Sequence, residues 1–249
     1  MPDFFNSLTN RQGLIVWGGE PSVDFGMVVD SAPAFDKPIK RIEAVNVPGR
    51  NGSIIFDDGA FDDVVRTYSA WLSEDAHDTL ADKVSGLTAW LFSKKGYTRL
   101  EDNFEPDVYR LAYYSGANNV TNELMQYGRT SLTFTCRPER FLKSGETPVS
   151  VSNGDTITNP TSFASKPLIK ITASGTVNLS INGVTITAVV VDYINIDTER
   201  MNAYRLPAEN RNDKISGAFP VIEPGANSIG ITVSGTLTSV EITPRYFTI

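Results

Sequence analysis

Four groups of residues in this 249-residue chain have the types that do chemistry. Asp57, Asp58, Asp62 and Asp63 form the densest acidic cluster, the kind of set that could hold a hard cation. A calcium loop needs ligands on alternate residues and a closing glutamate. This spacing offers neither, so a solvated turn between strands is the expected role. Asp24-Phe25-Gly26 has the lettering of a kinase magnesium motif, but the accompanying His-Arg-Asp and Gly-rich loops are missing. Gly18-Gly19 is followed by no Gly-Lys-Ser/Thr and so is not a phosphate loop. His77, the single histidine, stands among Glu74, Asp75 and Asp78, and the single cysteine, Cys136, alternates with Leu132 and Phe134. A Cys–His enzyme needs both groups in reach and an orienting acid, and Cys136 reads better as a small buried hydrophobe. Carboxylate pairs for glycoside hydrolysis must face each other across a cleft, and among 29 acids some pair qualifies by chance. No catalytic, cofactor-binding or metal-ligating residue is assigned, no cofactor is implied, and the chain is not expected to be an enzyme.

Composition points the same way. Lys and Arg number 22 against 29 Asp and Glu, a net charge of -7. Stable nucleic-acid binding needs a cationic surface and is not expected. Split after residue 143, the balance is 15 basic to 20 acidic before and 7 to 9 after, so neither half is a basic arm. One Cys excludes a disulfide framework. The longest purely aliphatic run, Ala188 to Val191, is four residues, far below the roughly 20 of a membrane-spanning helix, and membrane insertion is not expected. The N-terminus reads Met1-Pro2-Asp3-Phe4-Phe5, without a basic segment leading into an apolar one, so synthesis and first folding in a cytoplasm are expected.

The elements that would position these groups are mostly strands. Residues 1–39 hold short apolar bursts broken by Gly18-Gly19, Pro21, Pro33 and Pro38, and read as an arm or a pair of edge strands rather than a packed start. Ile42 to Val47 alternates, Pro48 to Gly52 turns, and Ser53 to Phe56 returns, with Asn51-Gly52 as a type I′ hairpin signal. Asp63 to Leu72 has strand composition. Leu80, Val84, Leu87 and Leu91 then recur at helical spacing, with Asp78 expected as N-cap and Gly96 beyond the C-terminus. Strands follow at Tyr97 to Glu101, Asp107 to Tyr114 and Gly128 to Cys136, carrying a cluster of Tyr109, Tyr113, Tyr114 and Tyr127. Beyond Pro167, short β runs recur without helical period: Leu168 to Ala173, Thr176 to Ile181, Thr185 to Val190, Tyr193 to Asp197, Ala203 to Leu206, Ser228 to Val233 and Ser239 to Tyr246. Asn182-Gly183 is a second hairpin signal. The class read from this is mainly β: an N-terminal β domain with one helix, then an antiparallel β sandwich. The expected limits are an arm at 1–39, a β domain with one α-helix at 40–143, a junction at 144–166 and the sandwich at 167–249.

The order of these parts carries a resemblance. Val47-Pro48-Gly49-Arg50-Asn51-Gly52-Ser53 is followed by a strand and by the helix ending in Leu87-Thr88-Ala89-Trp90-Leu91. Gly96 to Asp102 leads into Pro106 to Arg110, then Leu132 to Pro138, then Ile157-Thr158-Asn159-Pro160. Ile194 to Glu199, Phe219-Pro220 and Pro224 to Ile229 complete the series. Over about residues 40 to 249 the chain resembles the distal tail proteins of siphovirus-type bacteriophages. The resemblance implies a galectin-like or carbohydrate-module-like C-terminal sandwich. It also implies a homo-hexamer whose ring, formed by the N-terminal domain, joins the tail tube protein to a tail-associated lysin or a fibre or receptor-binding protein. DNA would pass through the lumen, and the protein would sit at the virion tail tip after assembly in the host cytoplasm. The alternative is a carbohydrate-binding protein that adheres to the host surface through the sandwich. Few aromatics stand in that half's predicted loops, Phe219 and Tyr204 among them, which leaves at most a weak glycan contact. An enzyme, a glycosidase or peptidase, ranks third.

Overall fold

The computed structural model describes residues 13–73, 79–116, 120–123, 127–207 and 209–249. The chain divides into two compact units, one ending at Arg140 and taking in Ile249, the other Phe141–Thr248. The fold is mainly β, with one α-helix among the described residues.

In the first unit the strands are β1 (Ile15–Trp17), β2 (Glu20–Pro21), β3 (Met27–Val29), β4 (Lys40–Asn46), β5 (Ser53–Phe61) and β6 (Val64–Ser73). After α1 (Leu80–Phe92) come β7 (Thr98–Asp102), β8 (Val108–Tyr114), β9 (Val120–Glu123) and β10 (Tyr127–Leu142), whose last two residues belong to the second unit. One sheet runs β2-β1-β7-β8-β10-β6-β3, with β9 also on β10. Its two ends meet: the Gly13 carbonyl, just before β1, accepts the Val29 N–H of β3 at 2.8 Å. Gly13 has φ +83, and a Cβ there would lie 1.9 Å from the Val29 oxygen, so closure requires glycine at this point.

The helix fills the resulting trough. Its Leu80, Leu87 and Leu91 are buried as the period indicates, Val84 is only half-buried, and Trp90 joins them. They pack on Ile15, Trp17, Tyr68, Leu72, Leu132, Phe134 and Cys136 from the sheet. The N-cap is Thr79, whose Oγ1 accepts the Asp82 N–H at 3.3 Å while Asp82 Oδ2 accepts the Thr79 N–H at 3.1 Å. This reciprocal box takes the role expected of Asp78, which lies outside the described residues. The helix ends at Phe92 with Ser93 as C-cap, short of Gly96.

The expected arm is also corrected. Ile15, Trp17, Met27 and Val29 are almost completely buried, so residues 13–29 are sheet and core. Their apolar bursts are short because each strand crosses only one edge of the sheet.

The second unit contains β11 (Val149–Ser150), β12 (Thr156–Asn159), β13 (Leu168–Ile181), β14 (Val184–Val190), β15 (Tyr193–Asp197), β16 (Asn202–Tyr204), β17 (Ile215–Gly217) and β18 (Gly225–Thr243). Residues 144–166, expected as a junction, thus contribute two strands, both paired with β18. The four short strands read at 168–173, 176–181, 228–233 and 239–246 are two long ones, β13 and β18, antiparallel along their length. The first half of β13 pairs with β15 and the second half with β14. Each long strand therefore serves two layers, and their alternating Ile, Leu and Val residues form one core with Ile186, Ile194 and Ile222. The change of layer falls at Gly175 and Gly235, which face each other in register with φ +128 each. A Cβ on Gly175 would lie 2.0 Å from the Ser234 oxygen and one on Gly235 2.1 Å from the Ser174 oxygen. Glycine here bends two strands together where the sequence suggests two turns. At Asn182-Gly183 the second hairpin signal holds, with φ 51 and 83.

Candidate functional site

Among the described residues the chemistry-bearing groups are drawn into local pairs and turns. Asp57 pairs with Lys40, and Asp62 Oδ1 accepts the Arg41 Nε–H at 2.7 Å. Asp58 accepts the Ala60 N–H at 2.9 Å. Asp63 Oδ2 accepts the Tyr97 hydroxyl at 2.7 Å, and that bond pushes the Tyr97 phenol up to about 12. Among the described residues no group of His, Cys, Asp or Glu is arranged to hold a metal. Asp24 lies in a 3-10 turn, Ser22–Phe25, where Phe25 stacks on Trp90 at 4.7 Å. Gly18 and Gly19 make the turn between β1 and β2. His77, Glu74, Asp75 and Asp78 lie outside the described residues. Cys136 is fully buried, and burial pushes its thiol up to about 11, so it stays protonated at neutral pH.

The tyrosine cluster divides between two faces of its sheet. Arg99 lies 3.8 Å over the Tyr109 ring, and Tyr113 meets Tyr97 edge-on at 5.5 Å. Tyr114, next in β8, points the other way, edge-on to Phe134 at 5.3 Å. No shared Tyr platform results. Phe219 packs against the core of the second unit, and Tyr204 is half-buried in β16.

What the structure does single out is the hairpin β4–β5. It forms a sheet of two strands, separate from the rest of its unit. The register sets Ile42 opposite Asp57, Ala44 opposite Ile55 and Val45 opposite Ile54. Because side chains alternate, Ile42 and Ile55 share one face while Val45, Ile54 and Phe56 share the other. Both faces are apolar, and every residue of β4 is exposed. Ile55 and Phe56 each keep 57% of their surface in solvent although they point in opposite directions. Ile39, Ile42 and Phe56 line an open groove of about 610 Å³ together with the charged Lys40, Arg41, Glu43, Asp57, Asp58 and Asp62. A lone two-stranded hairpin is marginal in water, and large exposed apolar patches mark interaction sites. Among the described residues no third strand pairs with either outer edge of this hairpin, which leaves both as templates for further strands.

The sequence reading finds this hairpin but places its details differently. Asp57, Asp58 and Gly59 lie inside β5 and do not close it, because a bulge between Lys40 and Ile42 lets the pairing continue to Phe61. Asn51 does not take positive φ; Gly49 and Gly52 do, at +80 each, within the loop 47–52. The signal for exposure was present as consecutive apolar residues, Ile54-Ile55-Phe56, in a strand with no second layer to cover either face.

No protein-family model matches the chain, and no curated protein does. Among solved structures, the Dit protein of phage SPP1 superposes with a TM-score of 0.72 at 12% identity, covering 95% of this chain and 99% of that one. The fold is that of SPP1 Dit. That protein is described as a paradigm of the hub adsorption apparatus in phages infecting Gram-positive bacteria. A chain of the phage p2 baseplate in its activated conformation aligns at TM-score 0.44 and 11% identity, over 87% of this chain and 90% of that one. The likeness to SPP1 Dit covers 95% of the chain and so extends through both units.

Proposed function

We propose that this protein is a structural distal tail protein, the hub of a long-tailed bacteriophage's tail tip, and not an enzyme. The observation that carries the reading is the hairpin β4–β5, apolar on both faces and open at both edges, in a chain with the SPP1 Dit fold. Its two outer edges belong to different strands, β4 and β5, with different sequences. A contact between unlike surfaces repeats head to tail and closes when the rotation fits. Six copies would make the ring, joined on one side to the tail tube protein and on the other to a tail-associated lysin or a fibre or receptor-binding protein. An acidic chain suits a conduit for DNA, since phosphates that are repelled slide where paired phosphates stick. The site of action is the virion tail tip, reached after assembly in the host cytoplasm.

Native mass spectrometry with negative-stain imaging tests this reading. A closed six-subunit ring is the expected result. A chain that stays monomeric at high concentration and with its tail partners overturns it, as does tight binding of duplex DNA at physiological salt.

A further inference from the structure

The first unit holds a second feature that the ring reading does not use. On the core-facing side of β6, β7 and β8 lies a polar network. Arg66 is almost fully buried and reaches Asp102 at 3.0 Å and Glu105 at 3.1 Å. The Tyr68 hydroxyl donates to Asp102 Oδ2 at 2.7 Å. Arg110 and Arg140 reach the two oxygens of the same Glu105, at 2.6 and 2.8 Å. Three arginines thus share two carboxylates, which leaves positive charge in excess.

That excess faces a cavity. Arg110 and Arg140 line a recess of about 170 Å³ together with Lys37, Arg137, Asp36 and Phe35. Four cations meet one acid there, in a chain whose net charge is -7. Arg110 is nine-tenths buried, and among the described residues both it and Arg140 bond only Glu105. Arg137 is matched by Glu139 at 3.0 and 3.1 Å, and Lys37 makes no ion pair among the described residues. Each guanidinium carries five N–H donors, so most of those on Arg110 and Arg140 have no acceptor among the described residues. Phe35, 73% exposed, stands at the rim as an apolar contact. Ile249 also lines the recess.

We propose that this recess is a docking site for an acidic peptide segment of another protein, with an Asp or Glu side chain entering between Arg110, Arg137, Arg140 and Lys37. Guanidinium forks match the planar carboxylate bidentately. The recess is large enough for one or two side chains, and the acidic remainder of the chain repels an extended polyanion, so a short acidic segment is favoured over a nucleic-acid backbone. The site is made by one unit's residues and does not require the ring.

The test is titration of the full chain with a fluorescent hexaglutamate peptide, against hexaglutamine and inorganic phosphate as controls. Saturable binding of hexaglutamate that weakens with salt, at least tenfold tighter than hexaglutamine, is expected. Lys37→Gln with Arg137→Gln should weaken it at least tenfold, while Lys166→Gln with Lys170→Gln in the second unit should leave it unchanged. Should the first pair fail to fold, Lys37→Gln alone, at an exposed position, serves with an expected loss of threefold or more. Equal binding of hexaglutamine, no binding of hexaglutamate, or indifference to Lys37→Gln overturns the proposal. So does displacement of the peptide by phosphate at equal affinity, which would make this a site for free anions. Ring formation that persists in these variants leaves the hub reading intact.

Discussion

Replacing Ile55 and Phe56 by Ala probes the hairpin directly. Fully burying an Ile or Phe side chain is worth about 1.5–3 kcal/mol. Each of these keeps 57% of its surface in solvent, so the part left for a neighbouring copy to bury is worth about 1–1.5 kcal/mol per residue. Together they should supply about 2–3 kcal/mol per contact, or a 30- to 150-fold loss of affinity at about 1.4 kcal/mol per tenfold. The isolated chain should hardly notice, because substitutions at exposed positions usually stay within about 0.5 kcal/mol. Sedimentation velocity across a concentration series reads the first effect, and thermal unfolding of the dilute chain reads the second. Unchanged assembly would refute the claim that these faces are interfaces. A large fall in Tm of the monomer would refute the claim that they are free.

Leu87→Ala should destabilise the first unit by about 2–5 kcal/mol, since Leu87 is fully buried in α1; a loss under half a kcal/mol in chemical denaturation would put the stripe in solvent. Gly175→Ala should cost the second unit at least about 2 kcal/mol, through positive φ and a Cβ in contact with the Ser234 oxygen, whereas Gly183→Ala, with open space around it, should suffer only the φ strain. Asp197 is drawn upward in pKa by burial, but bonds from Arg245 at 2.8 and 3.1 Å and from the Arg200 and Glu199 N–H groups outweigh this and leave it lowered. Its folded value lies below the unfolded value of about 3.9, so its stabilisation is present above that pH and lost as pH falls through the folded value; Asp197→Asn should flatten the acid limb of the stability profile, and an unchanged limb would refute the pairing. Residues 141–249 expressed alone should be β-rich and unfold cooperatively by circular dichroism, and an unfolded fragment would refute independent folding.

Local signals were legible in the sequence and layered ones were not. The helix followed from Leu80, Leu87 and Leu91, and Asn182-Gly183 from the positive φ that a type I′ turn demands. Gly175 and Gly235 misled because a glycine between two apolar runs has the same letter whether the chain turns or bends. Residues 15–17 and 27–29 read as an arm or a pair of edge strands and not as core, because three-residue strands carry too little period to show which face is buried. Arg66 and Arg110 gave no hint of burial, since their carboxylate partners come from elsewhere in the sequence, at 102 and 105. The same holds for the cationic recess, whose residues 37, 110, 137 and 140 meet only through the sheet.

The bend shared by β13 and β18 has a mechanical consequence. Neither layer of the second unit can be peeled from the other, because the covalent backbone of both long strands continues from one layer into the next. A pull applied to one layer is carried along the chain into the other, and it must break the β13–β18 pairing in shear along the whole length of both strands. The same pairing joins residues 48 positions apart at Ile181 with Ile229 and 75 apart at Leu168 with Thr243, so little of it can form before a long loop has closed. Folding of this unit should be slow and all-or-none, and once folded it should carry load as one piece.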